Sequence, residues 1–192
     1  DRLYTSAADS EARRAAQTVM FEALRALLIV IAPILPLTAE EAYQLAPALG
    51  DKQASVHLEE WPQPPAEWTD EKRAERWETL LQVRGEALRA LERAKEAGVI
   101  EQPLEAYLHL AAERPVYEAL ASLREHLSAF FLVSQVQVEP VPAEQLPEGE
   151  RVVVKVGKAE GAKCERCWLV LPTVGMTEQH PGLCSRCLDV VS

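Results

Sequence analysis

Long hydrophobic runs are missing from this sequence of 192 residues. The longest run, Ala26 to Ala32, ends at Pro33, and a membrane-spanning helix needs roughly 18 apolar residues. No signal-peptide pattern follows the first residue, Asp1, which stands where a methionine would begin a complete chain. We therefore expect a cytoplasmic protein without a membrane segment, and we expect this chain to be part of a longer polypeptide.

Positive charge is also scarce. The chain has 20 Lys and Arg against 30 Asp and Glu, a net charge of −10. The acidic excess is confined to residues 37–150, whereas residues 1–36 are balanced and residues 151–192 carry a net charge of +2. Because an acidic surface repels a polyanion, a nucleic acid would have to bind at the two ends of the chain.

Cysteine is absent from residues 1–163, and the four cysteines then follow as two CxxC pairs, Cys164 with Cys167 and Cys184 with Cys187. Two such turns can bring four thiolates into the closed tetrahedron of a structural zinc site. Two disulfides would need an oxidising compartment, and a redox CxxC usually occurs singly. Four thiolates also accept iron, but the spacing favours one structural Zn²⁺.

The first half of the chain has the periodicity of helices. Helices are predicted over residues 9–31, with Asp9 or Ser10 as the N-cap, and from Thr38 as N-cap to about Ala46. A third helix is predicted to start near residue 69 and to stop at Gly98. The proline-rich connection over residues 47–68 contains Trp61 and Trp68, which we expect to pack on the helices.

The second half of the chain alternates like strands. Strands are predicted over residues 104–112, 130–138 and 151–159, with a helix after the first of them. The fold class is therefore α+β, mainly a helical bundle followed by a small β-α-β-β unit and a zinc knuckle with four cysteine ligands. The predicted domains are residues 1–98, 99–160 and 161–192.

Trp168 directly follows the first cysteine pair, and basic residues surround it in the sequence: Lys163, Arg166, His180 and Arg186. An aromatic ring flanked by cations can stack on an unpaired base, and such stacking contributes roughly 1–3 kcal/mol per base. The alternative is that the ring only covers the metal cluster. We expect His180 to be an exposed loop residue rather than a ligand, because four thiolates already satisfy the metal.

Several stretches resemble known enzymes. The stretches "DRLY", "APILP", "TAEEAY" and "SVHLEEWP" are similar to the helical anticodon-binding region of class I aminoacyl-tRNA synthetases. The stretch "KCERCW", with "HPGLCSRC" after it, resembles the zinc-bearing C-terminus of bacterial-type isoleucyl-tRNA synthetases. The intervening "GVIEQPLEAYLHL" and "FFLVSQVQV" resemble the α/β unit of those enzymes, so the resemblance covers the whole chain in the order of the family.

This resemblance implies binding to the anticodon stem-loop of tRNA(Ile), while upstream domains of the synthetase charge that tRNA with isoleucine using ATP. It matches the four cysteines to zinc ligands, places Trp168 near the anticodon, and supports a basic helix near the RNA at Arg13 and Arg14. The chain contains no HIGH-like or KMSKS-like motif and no evident catalytic dyad. We therefore expect no catalytic residue among these 192 residues.

Two other functions compete with this one. Formamidopyrimidine-type DNA glycosylases end in a similar hairpin with two CxxC pairs. They need a basic surface and an N-terminal proline followed by glutamate, whereas this chain begins "DRLY" and is acidic. The other alternative is a purely structural or docking role of the zinc module, which can coexist with RNA binding.

Overall fold

A computed structural model describes residues 1–47 and 52–192. They form two compact units, Arg2–Thr69 and Asp70–Ser192, and Asp1 belongs to the second. The units divide at residue 69, because the long helix that follows Asp70 buries its apolar face in the core of the sheet. The predicted domains 1–98, 99–160 and 161–192 stay a prediction. Among the described residues, none of the helices is long and apolar enough to cross a membrane.

The first unit is helical and contains α1 (Arg2–Thr5), α2 (Glu11–Ile31) and α3 (Pro36–Leu45). Ser10 caps α2 as predicted, because its Oγ accepts a hydrogen bond from the backbone N–H of Arg13 at 3.3 Å. The predicted cap of α3 at Thr38 is wrong. This helix begins at Pro36 without a side-chain cap, since proline has no N–H to satisfy and its φ already suits the first turn.

Carboxylates, rather than tryptophans, hold the proline-rich segment. Trp61 and Trp68 are 59% and 57% exposed, so the prediction that they pack on the helices is wrong. Instead, the Glu40 carboxylate accepts hydrogen bonds from the Ser55 hydroxyl at 2.8 Å and from the Val56 N–H at 2.9 Å, and Val56 is buried. Residues 48–51 of the predicted connection lie outside the described residues.

Glu59 forms a second anchor in the same segment. Its carboxylate accepts hydrogen bonds from the Tyr43 hydroxyl and from Arg25 Nη2, the latter at 3.2 Å, and its side chain is only 5% exposed. The hydrogen bond from Tyr43 holds the pKa of Glu59 below its ordinary value although burial opposes this, and Arg25 acts in the same direction. Burial and the bond to Glu59 raise the pKa of Tyr43 to about 12.

The second unit begins with one long helix and continues with a small sheet. Ala97 caps the helix and Gly98 follows with a φ of +71°, which confirms the predicted stop. The elements of this unit are α4 (Glu71–Glu96), β1 (Ala106–Ala112), α5 (Arg114–Ala121), α6 (Leu127–Phe131), β2 (Gln135–Pro140), β3 (Val152–Lys158), β4 (Ala162–Lys163), β5 (Val170–Leu171) and α7 (Ser185–Val191).

The three longer strands form a sheet in the order β2-β1-β3. The central strand β1 is parallel to β2 and antiparallel to β3. Alternate residues of β1 are buried, and Leu108 and Leu110 belong to one apolar cluster with residues of α4, α5 and α6. This helix-covered mixed sheet, with a cysteine cluster at the C-terminal end of the chain, confirms the predicted α+β class.

The strand predicted from residue 130 starts later. Helix α6 continues through Phe131, Leu132 has a left-handed φ of 59°, and β2 begins only at Gln135. Phe131 and Val133 are buried in the core, whereas Leu132 is 55% exposed. This in-and-out alternation at the end of a helix imitates the period of a strand, which explains the error.

Candidate zinc and RNA-binding site

Two backbone turns of different kinds present the cysteines. The first pair lies in the hairpin that joins β4 to β5, and Cys184 is the N-cap of α7, which carries Cys187 in its first turn. The two turns are bridged by a hydrogen bond from the Glu165 N–H to the Gly182 carbonyl at 3.0 Å. Gly161 allows the hairpin to close, because a Cβ there would lie 2.3 Å from the backbone of Leu171.

The four sulfur atoms fit a tetrahedral metal site. They all lie within 4.8 Å of one another, and the Sγ atoms of Cys167 and Cys184 are 3.7 Å apart. Zinc–sulfur bonds of about 2.3 Å in a tetrahedron place neighbouring sulfurs about 3.8 Å apart. Cys164, Cys184 and Cys187 are fully buried. The four cysteines could therefore hold one metal ion, and their assignment as the ligands of a structural zinc site stays a prediction.

Backbone N–H groups favour the thiolate form of Cys164. Burial raises the pKa of the Cys164 thiol, but hydrogen bonds from the backbone N–H groups of Cys167, Cys184 and Arg166 outweigh it and lower the pKa to about 6. Burial raises the pKa of Cys167 to about 12 and also raises that of Cys184. A bound dication offsets this burial effect, because it favours the thiolate form of each ligand.

Trp168 lies on the surface of the module. It has a φ of +66°, its side chain is 60% exposed, and Lys163 Nζ is 5.7 Å from the centre of its ring. Among the partly buried hydrophobic residues, Leu171, Val174 and Leu183 pack against the cysteines. The Lys163 ammonium lies over the indole ring, and more than half of Trp168 is accessible to a ligand.

The other basic residues predicted around Trp168 differ in their surroundings. Arg166 Nη1 is 3.7 Å from the Sγ of Cys187, so this guanidinium faces the metal cluster. Arg186 forms an ion pair with Asp1 at 3.3 Å, and His180 is exposed in the loop between the pairs, outside the group of four cysteines. Lys163 is therefore the predicted basic residue that the structure brings to the indole ring.

Arg13 and Arg14 belong to the first unit, in the first turn of α2. Arg14 is exposed and Arg13 is partly exposed. Their predicted contact with RNA stays a prediction.

Ser134 and Gln135 are contacts of the zinc module that the sequence reading missed. Both bond to Val170, two residues beyond Trp168. A polar pair directly after the apolar run of Phe130 to Val133 was the available signal, because a buried hydroxyl must find a partner.

Comparison with known proteins agrees with this architecture. The family model described as the anticodon-binding domain of tRNA ligase matches residues 1–110, more than half of the chain. The chain therefore belongs to the family of tRNA ligase anticodon-binding domains. A second model, a zinc finger found in FPG and IleRS, matches residues 161–190, which include the four cysteines.

Individual relatives match over the whole chain. It is 42% identical over 197 residues to the isoleucine–tRNA ligase of Moorella thermoacetica and 42% identical over 192 residues to that of Fervidobacterium nodosum. It is 41% identical over 196 residues to the isoleucine–tRNA ligase of Geobacillus thermodenitrificans. These alignments cover 100% of the chain but only 21% of each relative, so the chain spans about one fifth of their length.

Proposed function

We propose that this chain is the part of an isoleucine–tRNA ligase that binds the anticodon stem-loop of tRNA(Ile). The rest of that enzyme, which would work in the cytoplasm, would charge the tRNA with isoleucine using ATP. The single observation that carries the binding proposal is Trp168, an exposed indole with the Lys163 ammonium over its ring, next to the cysteine cluster of a chain in the anticodon-binding family.

Docking would use two kinds of contact. Lys163 and the basic first turn of α2 would meet phosphates, which fix orientation but carry no sequence information. Trp168 would stack on a base that is splayed out of the anticodon loop. The acidic residues 37–150 would repel the phosphate backbone and so restrict RNA to the rest of the surface.

The test is a titration of the zinc-loaded chain at several salt concentrations with two RNAs. One is tRNA(Ile), and the other is the same tRNA with a replaced anticodon. We expect tighter binding of the native anticodon at every salt concentration. Equal, weak binding that is steeply lost with salt would mean that the chain makes phosphate contacts only. No binding to either RNA would favour a structural or docking role for the zinc module.

The DNA glycosylase alternative has less support. The zinc-finger model is shared with FPG, but the match of residues 1–110 is to tRNA ligases. Incubation with duplex DNA that carries an oxidised base separates the two functions, since a glycosylase would cleave the strand and we expect intact DNA.

A further inference from the structure

A buried serine joins the sheet to the zinc module. Ser134 directly precedes β2 and is 4% exposed. Its hydroxyl donates a hydrogen bond to the Leu104 carbonyl and accepts one from the Val170 N–H at 2.7 Å. Because both the donor and the acceptor capacity of this hydroxyl are used, it fixes β5 relative to the segment that precedes β1.

The next residue adds a second connection. Gln135 Nε2 donates to the carbonyls of Glu160 at 2.7 Å and of Val170 at 3.1 Å. Its Oε1 also accepts from the Glu160 N–H at 3.4 Å. The N–H and the carbonyl of Val170 are therefore both bound by side chains at the start of β2, and Glu160, two residues before β4, is bound as well.

These bonds end two residues from Trp168. On the other side, the Trp168 N–H donates to the Cys164 carbonyl at 2.9 Å, and the Cys164 N–H donates to the Leu169 carbonyl at 2.9 Å. The backbone of Trp168 is therefore hydrogen-bonded to Cys164 on one side. On the other side, Val170 is hydrogen-bonded to Ser134 and Gln135 of the sheet.

We propose that Ser134 and Gln135 are positioning residues that hold Trp168 in the orientation in which it binds RNA. They act through Val170 and need no contact with the RNA. This inference rests on the proposed function of Trp168 and extends it to two residues of the sheet.

The experiment compares Ser134→Ala, Gln135→Ala and the control Gln137→Ala in the full 192-residue, zinc-loaded chain. Gln137 lies on the same strand but bonds to Tyr107 instead of to the zinc module. Each substitution is also made in a Trp168→Ala background. The measurements are zinc content, hydrogen exchange at the Val170 and Glu160 amides, and affinity for an anticodon stem-loop RNA.

We expect one zinc per chain in every variant. Exchange should become roughly tenfold faster, at the Val170 amide in Ser134→Ala and at the Glu160 amide in Gln135→Ala, because each loses a hydrogen bond. RNA affinity should fall several-fold in both variants when Trp168 is present, should not fall further in the Trp168→Ala background, and should be unchanged in Gln137→Ala.

Three results would overturn the inference: unchanged exchange at both amides, loss of zinc in Gln135→Ala, or an equal loss of affinity with and without Trp168. Gln135 is only partly buried, so its variant tests the inference even if Ser134→Ala unfolds. Failure of the wild-type chain to bind RNA would contradict the proposed function instead. The exchange rates would then still decide whether the two side chains hold β5.

Discussion

The sheet and the zinc module belong to one compact unit but are stabilised by different forces. The sheet is built around fully buried apolar side chains such as Leu108, Leu110 and Phe131. In the module, the fully buried side chains among its core residues are three cysteines, and the hydrophobic residues around them are only partly buried. Some 30 residues cannot bury enough apolar surface to fold alone, so metal binding supplies the folding free energy there.

The comparison also separates two uses of polar groups. In the first unit, the carboxylates of Glu40 and Glu59 hold the segment that follows α3 through hydrogen bonds. In the zinc module, backbone amides point at the sulfur of Cys164. The carboxylates accept hydrogen bonds from side chains and from backbone N–H groups, whereas the Cys164 sulfur accepts them from backbone N–H groups and could also bind a metal ion.

Removal of the metal should have the largest effect, because it should unfold the zinc module without unfolding the sheet. Structural zinc contributes on the order of 10 kcal/mol in small zinc-binding peptides, so chelation or Cys184→Ser should unfold residues 161–192 and leave the sheet folded. Hydrogen exchange checks this, with protection lost in α7 and kept in β1. His180→Ala is the matched control and should retain zinc. Equal protection of α7 with and without metal would show that the module folds without it.

Truncation of a side chain in the sheet core should destabilise the sheet and leave zinc binding unchanged. Leu108 is fully buried, so Leu108→Ala should lower the free energy of unfolding by about 2–5 kcal/mol, because it removes apolar contacts and leaves a cavity. Urea denaturation measures this change, and the zinc content of the folded variant should be unchanged. Leu81→Ala, at a side chain that is 56% exposed, should stay within about 0.5 kcal/mol of the wild type.

Glu59 tests the polar anchor of the first unit. Because the pKa of Glu59 is lower in the folded state, the unfolded chain binds more protons in the acid range. The stabilisation is therefore present above the ordinary carboxyl pKa and is lost as the pH falls through the lowered one.

Glu59→Gln should destabilise the first unit by about 1–3 kcal/mol at neutral pH, since hydrogen bonds to a charged group are lost. It should also make unfolding less dependent on pH in the acid range. Thermal unfolding at a series of pH values measures both effects. Glu60→Gln, at an exposed neighbour, serves as control. If the pH dependence of unfolding were the same in Glu59→Gln as in the wild type, Glu59 would not stabilise the first unit in the way described.

The smallest changes in stability are expected at two glycines, Gly85 inside α4 and Gly98 just after its end. An added Cβ at Gly98 would meet nothing within 4 Å, but the φ of +71° is strained for other residues, so Gly98→Ala should cost about 1 kcal/mol. At Gly85, inside the helix, an added Cβ would make only an ordinary contact with Arg89, and Gly85→Ala should stabilise by about 0.5–1 kcal/mol. Equal changes at both positions in urea denaturation would contradict the assigned backbone roles.

Local signals in the sequence predicted the cap at Ser10 and the stop at Gly98, because each depends on chemistry within a few residues. The cysteine cluster was predictable from the two CxxC spacings, since each pair can present two thiolates to one metal. The errors at Trp61 and Trp68 have the opposite origin, because hydrophobic character indicated burial but tertiary contacts decide which apolar residues find partners. The strand predicted from residue 130 started too early because the end of α6 imitates the period of a strand. The contacts of Ser134 and Gln135 could not be predicted, because Glu160 and Val170 lie 25 to 36 residues further along the chain, beyond any periodicity.

The measurement that tests the central claim most directly is the anticodon preference of the zinc-loaded chain with and without Trp168. Affinities for tRNA(Ile) and for its anticodon-replaced form are compared in the wild type and in Trp168→Ala at one fixed salt concentration. Our account predicts a preference for the native anticodon that shrinks in Trp168→Ala while the zinc content is unchanged. An identical preference in both proteins would contradict it and would leave the indole without a part in reading RNA.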